Sequence, residues 1–568
     1  MQKKVARIII GLAIFIFSQV SAQQVISTVA ELERLAPMGG EYRLAAGRYV
    51  LSKPLVLTKA LTLTGAGKES TTVLGSSQYY LFSIESSEKF KLEGIGFVYF
   101  GLGGSDVVDI KDAEFEIIDC SFSGGVYSAE NDLFYGSGLY LHGDAKGIIK
   151  DSYFRNNRQD AIHLESNAQA SLSNSLIEDN IGAIAAFEDT SITIVDSTIT
   201  DNGNEDSIAV YAEGDSRVNI RDSKIEKNLF GAFWILGNAE LVAENNTIHS
   251  SGSEYSAITT EGNASSQIIG NDFSDNFAGA IWLKANSTST INNNIFTRNG
   301  SENLGSIVVE GESVAELNEN LFSRDWGLWF AENSKVTATK NEILYSPSEQ
   351  YAALTITDEA EVDFNNNKIS KSNNWAVYAT DNSRVVLLQN TINENMKGAF
   401  VNSSSAPLRL IANIITKNTG YGAYLIAGSN TYAAANTFEA NSSGLVITEK
   451  ATANVFENKF KNNTKSGIAY LGESRGKVVS NRISANAWNG IVVGGSASVL
   501  LEHNQIIENA LRGILISENA FAKINKNMIE GSKVGIFVTT EAKAETKDNS
   551  FNNNETNTFK GPLPDDEN

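Results

Sequence analysis

The chain has 568 residues, a single cysteine and a formal net charge of −22, with 67 acidic and 45 basic side chains. This acidic balance argues against nucleic acid or an anionic membrane as a partner. The lone Cys120 excludes an internal disulfide and a cysteine-based metal site.

Residues 1–22 have the pattern of a secretory signal peptide. Lys3, Lys4 and Arg7 precede an apolar run over 8–17, and Ala22 ends a small-x-small cleavage motif. The apolar run is too short to span a bilayer, and no second long run follows it. We therefore expect cleavage after Ala22, a secreted or periplasmic protein, and no membrane span.

Residues 23–110 are expected to form an N-terminal cap helix and the first, irregular coils of a longer structure. Within 27–36, STVAELERLA, a Ser or Thr precedes apolar residues at helical spacing, which predicts a short amphipathic helix. Such a helix would cover the open end of a stack of coils. The glycine-punctuated alternation that follows predicts short strands.

Residues 111–556 carry a regular repeat. An asparagine returns fourteen times between Asn246 and Asn549, every 21 to 26 residues, each time two residues before an apolar anchor. Upstream, the same position holds Cys120, Ser152, Ser175, Ser197 and Ser223. The repeat predicts stacked coils, with an asparagine ladder whose side chains bond up and down the stack at about 4.8 Å. In this register Cys120 is expected to be a buried small residue rather than a nucleophile. The last segment, 557–568, has no periodicity and is predicted to be disordered.

Alternation within each coil assigns the faces of its strands. The residues fifteen and thirteen before each anchor are nearly always apolar, as in Ile281 with Leu283, and are expected to point inward. The residues fourteen and twelve before the anchor then point outward, because strand side chains alternate.

The opening GEYRLAAGRYVLSKPLVLTKALTLTGAG and the repeated N-x-[IF]-x-x-N resemble the right-handed parallel β-helix superfamily, the pectate-lyase-like fold, and within it NosD-like repeats. The resemblance covers about residues 40–555. It implies an all-β chain that forms a single right-handed parallel β-helix of about 20 coils, with a substrate groove outside the first strand of each coil. The fold hosts lyases, hydrolases, epimerases, adhesins and binding proteins.

The first outward column is rich in aromatic residues. In coil order it contains Tyr140, His163, Ala185, Tyr211, Trp234, Thr259, Trp282, Val308, Trp329, Thr355, Tyr378, Val401 and Tyr424. Aromatic rings suit the faces of sugars, so Tyr211, Trp234, Trp282, Trp329, Tyr378 and Tyr424 are predicted to bind a polysaccharide as an exposed row. Alternatively, large rings alternate with small neighbours to relieve crowding, beneath a covering loop.

The second outward column places a glutamate on every second coil. Its members are His142, Glu165, Phe187, Glu213, Leu236, Glu261, Lys284, Glu310 and Ala331. The alternation could simply keep like charges apart. It also suits a neutral glycan, or an anionic one bridged by Ca²⁺; no other cofactor is expected.

An insertion over 123–138 lies just before the first outward strand, next to two histidines. A histidine base, a tyrosine acid and an arginine beside a carboxylate are what proton abstraction from a uronate requires. We therefore predict His163 as base, Tyr140 as acid, Arg158 as carboxylate clamp, and Glu165 as the group that orients His142. The insertion is expected to cover this cluster. The alternative is that these are ordinary polar surface residues. No metal-ligand spacing is present.

Together these patterns predict an exported protein that binds polysaccharide and carries out β-elimination or epimerisation near the insertion. The alternatives are a non-catalytic scaffold or adhesin, and a NosD-like accessory protein in metal delivery. Four histidines, four methionines and one cysteine argue against soft-metal handling.

Overall fold

The computed structural model describes residues 23–130, 133–204 and 207–563. The predicted signal peptide lies outside this part of the chain. Within it, three long parallel sheets stack coil upon coil, and each coil adds one strand to each sheet. The sheets contain 22 or 23 described strands, slightly more coils than the 20 predicted.

The sheet that carries both outward columns is called the site sheet. Its strands are Leu55–Leu57, Phe82–Glu85, Val108–Lys111, Leu139–His142, Asp160–Leu164, Gly182–Ala186, Val210–Ala212, Phe233–Ile235, Ile258–Thr260, Ile281–Leu283, Ile307–Val309, Leu328–Phe330, Leu354–Ile356, Trp375–Ala379, Gly398–Asn402, Tyr421–Leu425, Leu445–Ile447, Ile468–Tyr470, Asn489–Val493, Arg512–Ile516, Val534–Val538 and Thr556–Lys560.

The second sheet follows the site sheet within each coil. Its strands are Gln24–Ile26, Gly40–Leu44, Leu61–Thr64, Lys89–Glu93, Glu114–Ile118, Lys146–Lys150, Gln169–Ser173, Ser191–Val195, Arg217–Arg221, Glu240–Glu244, Ser265–Ile269, Thr288–Asn292, Val314–Asn318, Lys335–Thr339, Glu361–Asn365, Arg384–Leu388, Pro407–Ile411, Asn430–Ala434, Thr452–Phe456, Arg475–Val479, Ser498–Glu502, Phe521–Asn525 and Lys543–Lys547.

The third sheet carries the anchors. Its strands are Gly47–Val50, Thr71–Gly75, Gly96–Tyr99, Ser121–Ser123, Tyr153–Arg155, Leu176–Glu178, Thr198–Thr200, Lys224–Glu226, Thr247–His249, Asp272–Ser274, Ile295–Thr297, Leu321–Ser323, Glu342–Leu344, Lys368–Ser370, Thr391–Asn393, Ile414–Thr416, Thr437–Glu439, Lys459–Lys461, Arg482–Ser484, Gln505–Ile507, Met528–Glu530 and Ser550–Asn552.

The predicted asparagine ladder is confirmed and lies between the second and third sheets. Asn413 shows its bonding: its Oδ1 accepts from the backbone N–H and the Nδ2 of Asn390, at 2.9 and 3.0 Å. Its Nδ2 donates to Leu387 O at 2.7 Å and to Asn436 Oδ1 at 3.0 Å. Upstream, serine hydroxyls accept from the backbone in the same way, and Cys120 is fully buried in this register, as expected. Burial raises the pKa of its thiol to about 12.

A second ladder, three residues after each anchor, was missed by the sequence reasoning. Asn486 shows its bonding, because it donates to Asn509 Oδ1 at 2.9 Å and accepts from Asn463 Nδ2 at 2.8 Å. The last asparagine of the N-x-[IF]-x-x-N repeat was its signal. Asp325 replaces asparagine in one coil, and burial raises the pKa of this carboxyl to about 7 despite hydrogen bonds from Asn299.

The N-terminal end carries the predicted cap. The helix Val29–Leu35 begins at a capping box formed by Thr28 and Glu31, buries Leu32 and Leu35, and continues into a 3-10 turn, Ala36–Met38. Glu31 and its neighbours satisfy the first N–H groups of the helix, which explains where it starts. No helix in the described ranges is long and apolar enough to cross a membrane.

The coils continue through one predicted boundary, and a strand crosses another. The site sheet runs through residues 110 and 111 without a break, as expected for coils on both sides, because Val108–Lys111 pairs with strands on both sides. The predicted disordered tail begins inside a strand, since Thr556–Lys560 pairs with Val534–Val538. That strand lacks the repeat pattern and forms because a preceding coil offers an unpaired edge. Residues 564–568 lie outside the described chain.

Candidate polysaccharide-binding face and polar cluster

Strand register on the site sheet reproduces the predicted first column. Tyr140 pairs with His163, Tyr211 with Trp234, and Thr259 with Trp282. Trp282, Trp329, Tyr378 and Tyr424 follow on alternate coils. The backbone therefore brings residues distant in sequence into one line along the molecule.

Eight rings form a continuous row of contacts, which we call the aromatic ridge. Consecutive ring centroids lie 4.5 to 6.1 Å apart, in the order His142, Tyr140, His163, Phe187, Tyr211, Trp234, Tyr255 and Trp282. Phe187 comes from the second outward column, and Tyr255 comes from a loop. Farther along, Trp329 contacts Tyr351, and Trp375 contacts Tyr424.

The tryptophans of the predicted exposed row are half-buried. Of the small residues between the rings, Thr259 is 0% and Thr355 6% exposed, whereas Val308 is half-buried. Tyr255 and Tyr351, from the loops before these strands, stack on Trp234 and Trp329 at 5.2 and 5.8 Å. The crowding alternative is therefore part of the observed packing, while the tryptophans remain partly exposed.

Several polar atoms at this face have no hydrogen-bond partner among the described residues. They are Nε1 of Trp234 and Trp329 and the hydroxyls of Thr259 and Thr355. Buried polar groups are nearly always paired in folded proteins. Buried hydroxyls elsewhere in the described coils, such as those of Ser216 and Ser334, share this feature, so it does not distinguish this face.

Carboxylates border the ridge. Tyr211 donates its hydroxyl to Glu213 at 2.7 Å, and Lys284 lies 3.7 Å from Glu261 and 4.6 Å from the centre of the Trp282 ring. Burial raises the pKa of Glu310, although the nearby Trp282 indole lowers it in part. Within the described chain, no group of three or more His, Cys, Asp or Glu side chains is placed to hold a metal ion.

A polar cluster lies at the N-terminal end of the ridge. His163 is bonded through Nδ1 to Asp160 at 2.8 Å and through Nε2 to Glu165 at 3.0 Å. Tyr140 donates its hydroxyl to the other oxygen of Glu165 at 2.5 Å. The structure thus brings Tyr140, His163 and Glu165 together, as predicted.

Its charges, however, disfavour the role of base predicted for His163. Burial lowers the pKa of this imidazole, but the hydrogen bonds to Asp160 and Glu165 outweigh burial and raise it to about 10. His163 is therefore an imidazolium at neutral pH, with both nitrogens donating, and is not a ready base. Burial and Glu165 also raise the pKa of Tyr140, so the phenol keeps its proton. The bond from His163 lowers the pKa of Glu165, which stays ionised.

His142 has a different partner from the one predicted. Its Nε2 lies 2.9 Å from Asp109 Oδ1, and the Ser83 hydroxyl donates to Asp109 Oδ2 at 2.9 Å. Its ring stacks on Tyr140 with the planes 6° apart. Glu165 therefore does not orient His142, because it is turned toward His163. Asp109 pairs with Tyr140 in the first column, so extending that column one coil upstream would have found it.

Arg158 and the insertion also lie differently from the prediction. The Arg158 side chain is exposed and lines a turn with Asp179 and Asp201, outside the hydrogen bonds of the cluster. The insertion forms a hairpin, Ser128–Glu130 with Leu133–Tyr135, and Tyr135 contacts Tyr79. Its end binds the buried Asp106 through the N–H groups of Gly136 and Ser137.

Comparison with known proteins addresses the fold. The structure is similar to DFA-IIIase from Arthrobacter chlorophenolicus A6, with 12% identity and a TM-score of 0.38 over 58% of this chain and 94% of that one. It is also similar to an alginate lyase from Paenibacillus sp. str. FPU-7, with 16% identity and a TM-score of 0.36 over 46% and 97% of the two chains. The periplasmic alginate epimerase AlgG gives 11% identity and a TM-score of 0.28 over 60% and 77%. Likenesses this low carry no argument about activity.

No curated protein matches the sequence. The model of the family described as right handed beta helix region matches residues 106–208, 191–343, 301–438 and 434–561. These matches span most of the described coils, and the predicted fold is confirmed. The chain belongs to the right-handed β-helix family.

Proposed function

We propose that this protein is exported and binds an extended polysaccharide along the aromatic ridge. The observation that carries the proposal is the continuous row of ring contacts from His142 to Trp282, bordered by carboxylates. From Tyr140 to Trp282 the row crosses six coil steps, about 29 Å at strand spacing. An amphipathic surface of this length fits an extended glycan chain.

The partly covered rings fit sugar binding better than they fit a protein interface. Each half-buried ring presents an apolar face, and the rim beside it presents carboxylates such as Glu213 and Glu261. Sugars combine apolar ring faces with hydroxyl groups that donate to carboxylates and accept from N–H groups.

Replacing Trp282, at the end of the ridge, or Trp329, farther along the same column, by alanine tests this proposal. We expect each variant to bind polysaccharide about 5- to 30-fold more weakly, since an aromatic contact contributes about 1 to 2 kcal/mol. A glycan array followed by titration calorimetry measures the loss. Tyr432→Ala is the matched control, because Tyr432 is 45% exposed on the second sheet, away from the ridge. Unchanged affinity in both tryptophan variants, or a parent that binds no glycan, contradicts the proposal.

A second candidate function, uronate chemistry, is favoured by the pairing of His142 with Asp109. In this candidate His142 is the base that abstracts the proton beside a uronate carboxylate, because His163 already carries a proton. The adjacent Tyr140, which stays protonated, gives a proton to the leaving oxygen in elimination or to the opposite face in epimerisation.

The two chemistries are distinguished by incubating the protein with uronate polymers. Elimination gives an unsaturated uronate that absorbs in the ultraviolet, and epimerisation changes the proton NMR spectrum at C5. We expect His142→Ala to abolish turnover and His249→Ala, on the third sheet, to keep it. A parent that binds these polymers and leaves them unchanged leaves binding as the whole function.

A further inference from the structure

The middle residues of ten successive strands of the second sheet form an outward row, which we call the charged column. Strand pairing gives its order as Glu316, Thr337, Asp363, Val386, Arg409, Tyr432, Asn454, Lys477, Leu500 and Lys523. Its acids come first and its bases last. The surrounding sequence shows the same division, because residues 384–547 contain 17 basic and 11 acidic side chains, whereas the whole chain has a net charge of −22.

Most charges of this column have no opposite charge beside them. Four of its side chains are exposed and form no ion pair with another described residue, namely Glu316, Asp363, Arg409 and Lys477. Elsewhere on the same sheet, Arg384 lies 3.0 Å from Glu361 of the preceding coil. Asp363 and Arg409 are instead separated by Val386, which places their backbones about 9.6 Å apart. The column therefore presents its charges to solvent.

The order of the column is self-complementary about a point at its centre. Three pairs of residues lie at equal distances on either side of this point, at half a coil, two and a half coils and four and a half coils: Arg409 and Tyr432, Asp363 and Lys477, and Glu316 and Lys523. Each pair joins a base to an acid or to an aromatic ring. A two-fold axis through this point, parallel to the strands, would place each residue opposite its counterpart in a second copy.

An apolar stripe lies beside the charged column, near the same centre. Its members end five consecutive strands and are all half-buried: Leu388, Ile411, Ala434, Phe456 and Val479. Tyr432 is 45% exposed, and its ring centre lies 5.5 Å from that of Phe456. Interfaces between proteins combine an apolar centre, often with tyrosine and arginine, with a polar rim. The second sheet has this arrangement.

The surface is also large enough for a specific contact. Ten coils extend about 43 Å at strand spacing, and a five-residue strand is about 15 Å long. A face of this size buries about 650 Å² on each copy, or about 1,300 Å² in total, which is within the range of specific interfaces. Side-chain ladders keep a sheet flat over many strands, so two such faces can meet along their whole length.

We propose that two copies of this chain associate side by side and antiparallel through their second sheets. Asp363 of each copy lies opposite Lys477 of the other, and Arg409 lies over the ring of Tyr432. A parallel arrangement would place each coil opposite itself, so that Asp363 met Asp363 and Lys477 met Lys477, which like charges disfavour. The inference does not depend on the proposed polysaccharide binding. The site sheet is a different face of each coil, so both aromatic ridges stay free.

Carbodiimide cross-linking tests the arrangement directly. The reagent joins a carboxylate to an amine without a spacer. Asp363 and Lys477 lie five coils apart in one chain, about 24 Å at strand spacing, so a link between them forms only between copies. We expect mass spectrometry to find this link in a cross-linked dimer at low salt. Added salt should reduce its yield, since exposed charges are screened.

Charge reversal measures how much these contacts contribute. Sedimentation equilibrium at low salt should show a parent dimer of micromolar affinity. Asp363→Lys and Lys477→Asp should each weaken dimerisation at least about tenfold, because two-fold symmetry places each pair of like charges in the interface twice. The variant that carries both changes should regain the affinity of the parent, since opposite charges again face each other. Asp272→Lys and Lys459→Asp, exposed on the third sheet, are the matched controls and should dimerise like the parent.

Three results would overturn the proposal. A parent that stays monomeric throughout the micromolar range has no second copy on this face. Dimers of equal strength in the parent and in both single variants use another surface. Single variants that weaken dimerisation without recovery in the combined variant show that Asp363 and Lys477 do not face each other. Urea unfolding identical to that of the parent excludes misfolding as the cause of any loss.

Discussion

Replacing Asn413 by leucine should lower the free energy of unfolding by about 3 kcal/mol, because several buried groups lose their partners at once. Asn413 is 1% exposed. Leucine leaves the N–H and Nδ2 of Asn390 and Leu387 O without the bonds that the Asn413 side chain makes. Asn436 Oδ1 loses the bond from Asn413 Nδ2 but keeps the one from the backbone N–H of residue 413. Leucine has a similar volume, so the loss reflects polar groups rather than a cavity. Urea unfolding followed by circular dichroism measures it.

Asn549→Leu is the matched control at the end of the same ladder. Asn549 accepts from Asn527 and donates to Ile524 O, but it is only partly buried, so water can replace these bonds. We expect a loss of less than about 1 kcal/mol there. Equal losses at the two positions would show that burial does not determine how much a ladder asparagine contributes to the free energy of unfolding.

Replacing His163 by phenylalanine should lower stability by about 3 kcal/mol at pH 7. The imidazolium lies between Asp160 and Glu165, and its removal leaves the buried Asp160 carboxylate without its cation. Glu165 is 40% exposed, so its share is reduced by solvent screening. Thermal and urea unfolding, compared with the parent, measure the effect.

The pH dependence gives this prediction a definite sign. The pKa of His163 is about 10 in the folded protein and close to 6.5 when unfolded. A raised pKa contributes stability that is complete below pH 6.5 and disappears as the pH rises through 10. Stability of the parent should therefore fall between pH 6.5 and 10, and His163→Phe should lack this fall. His249→Phe, at a partly exposed site, is expected to keep it; a parent with flat stability in this window would contradict the charge assigned to His163.

Much of the fold was predictable because equivalent positions of successive repeats lie next to each other in the stacked coils. Once the anchors are aligned, strand alternation places Tyr140 beside His163 and Trp282 two coils from Trp329, as the register confirms. The second ladder was equally visible in the repeat. Asp109 was not predicted because it lies one coil before Tyr140, the first residue of the predicted column, where the repeat is less regular.

The sequence by itself determined the stacked coils, the first asparagine ladder and the residues that share each outward column, because all of these depend only on period and alternation. Tertiary structure alone decided that His142 binds Asp109, that Glu165 turns toward His163, and that Tyr255 and Tyr351 cover part of the tryptophan row. These features depend on side-chain rotamers and loop paths, which differ from coil to coil. The charge of His163 follows from them, since a pKa is set by the groups and the burial around the ring rather than by its place in a repeat.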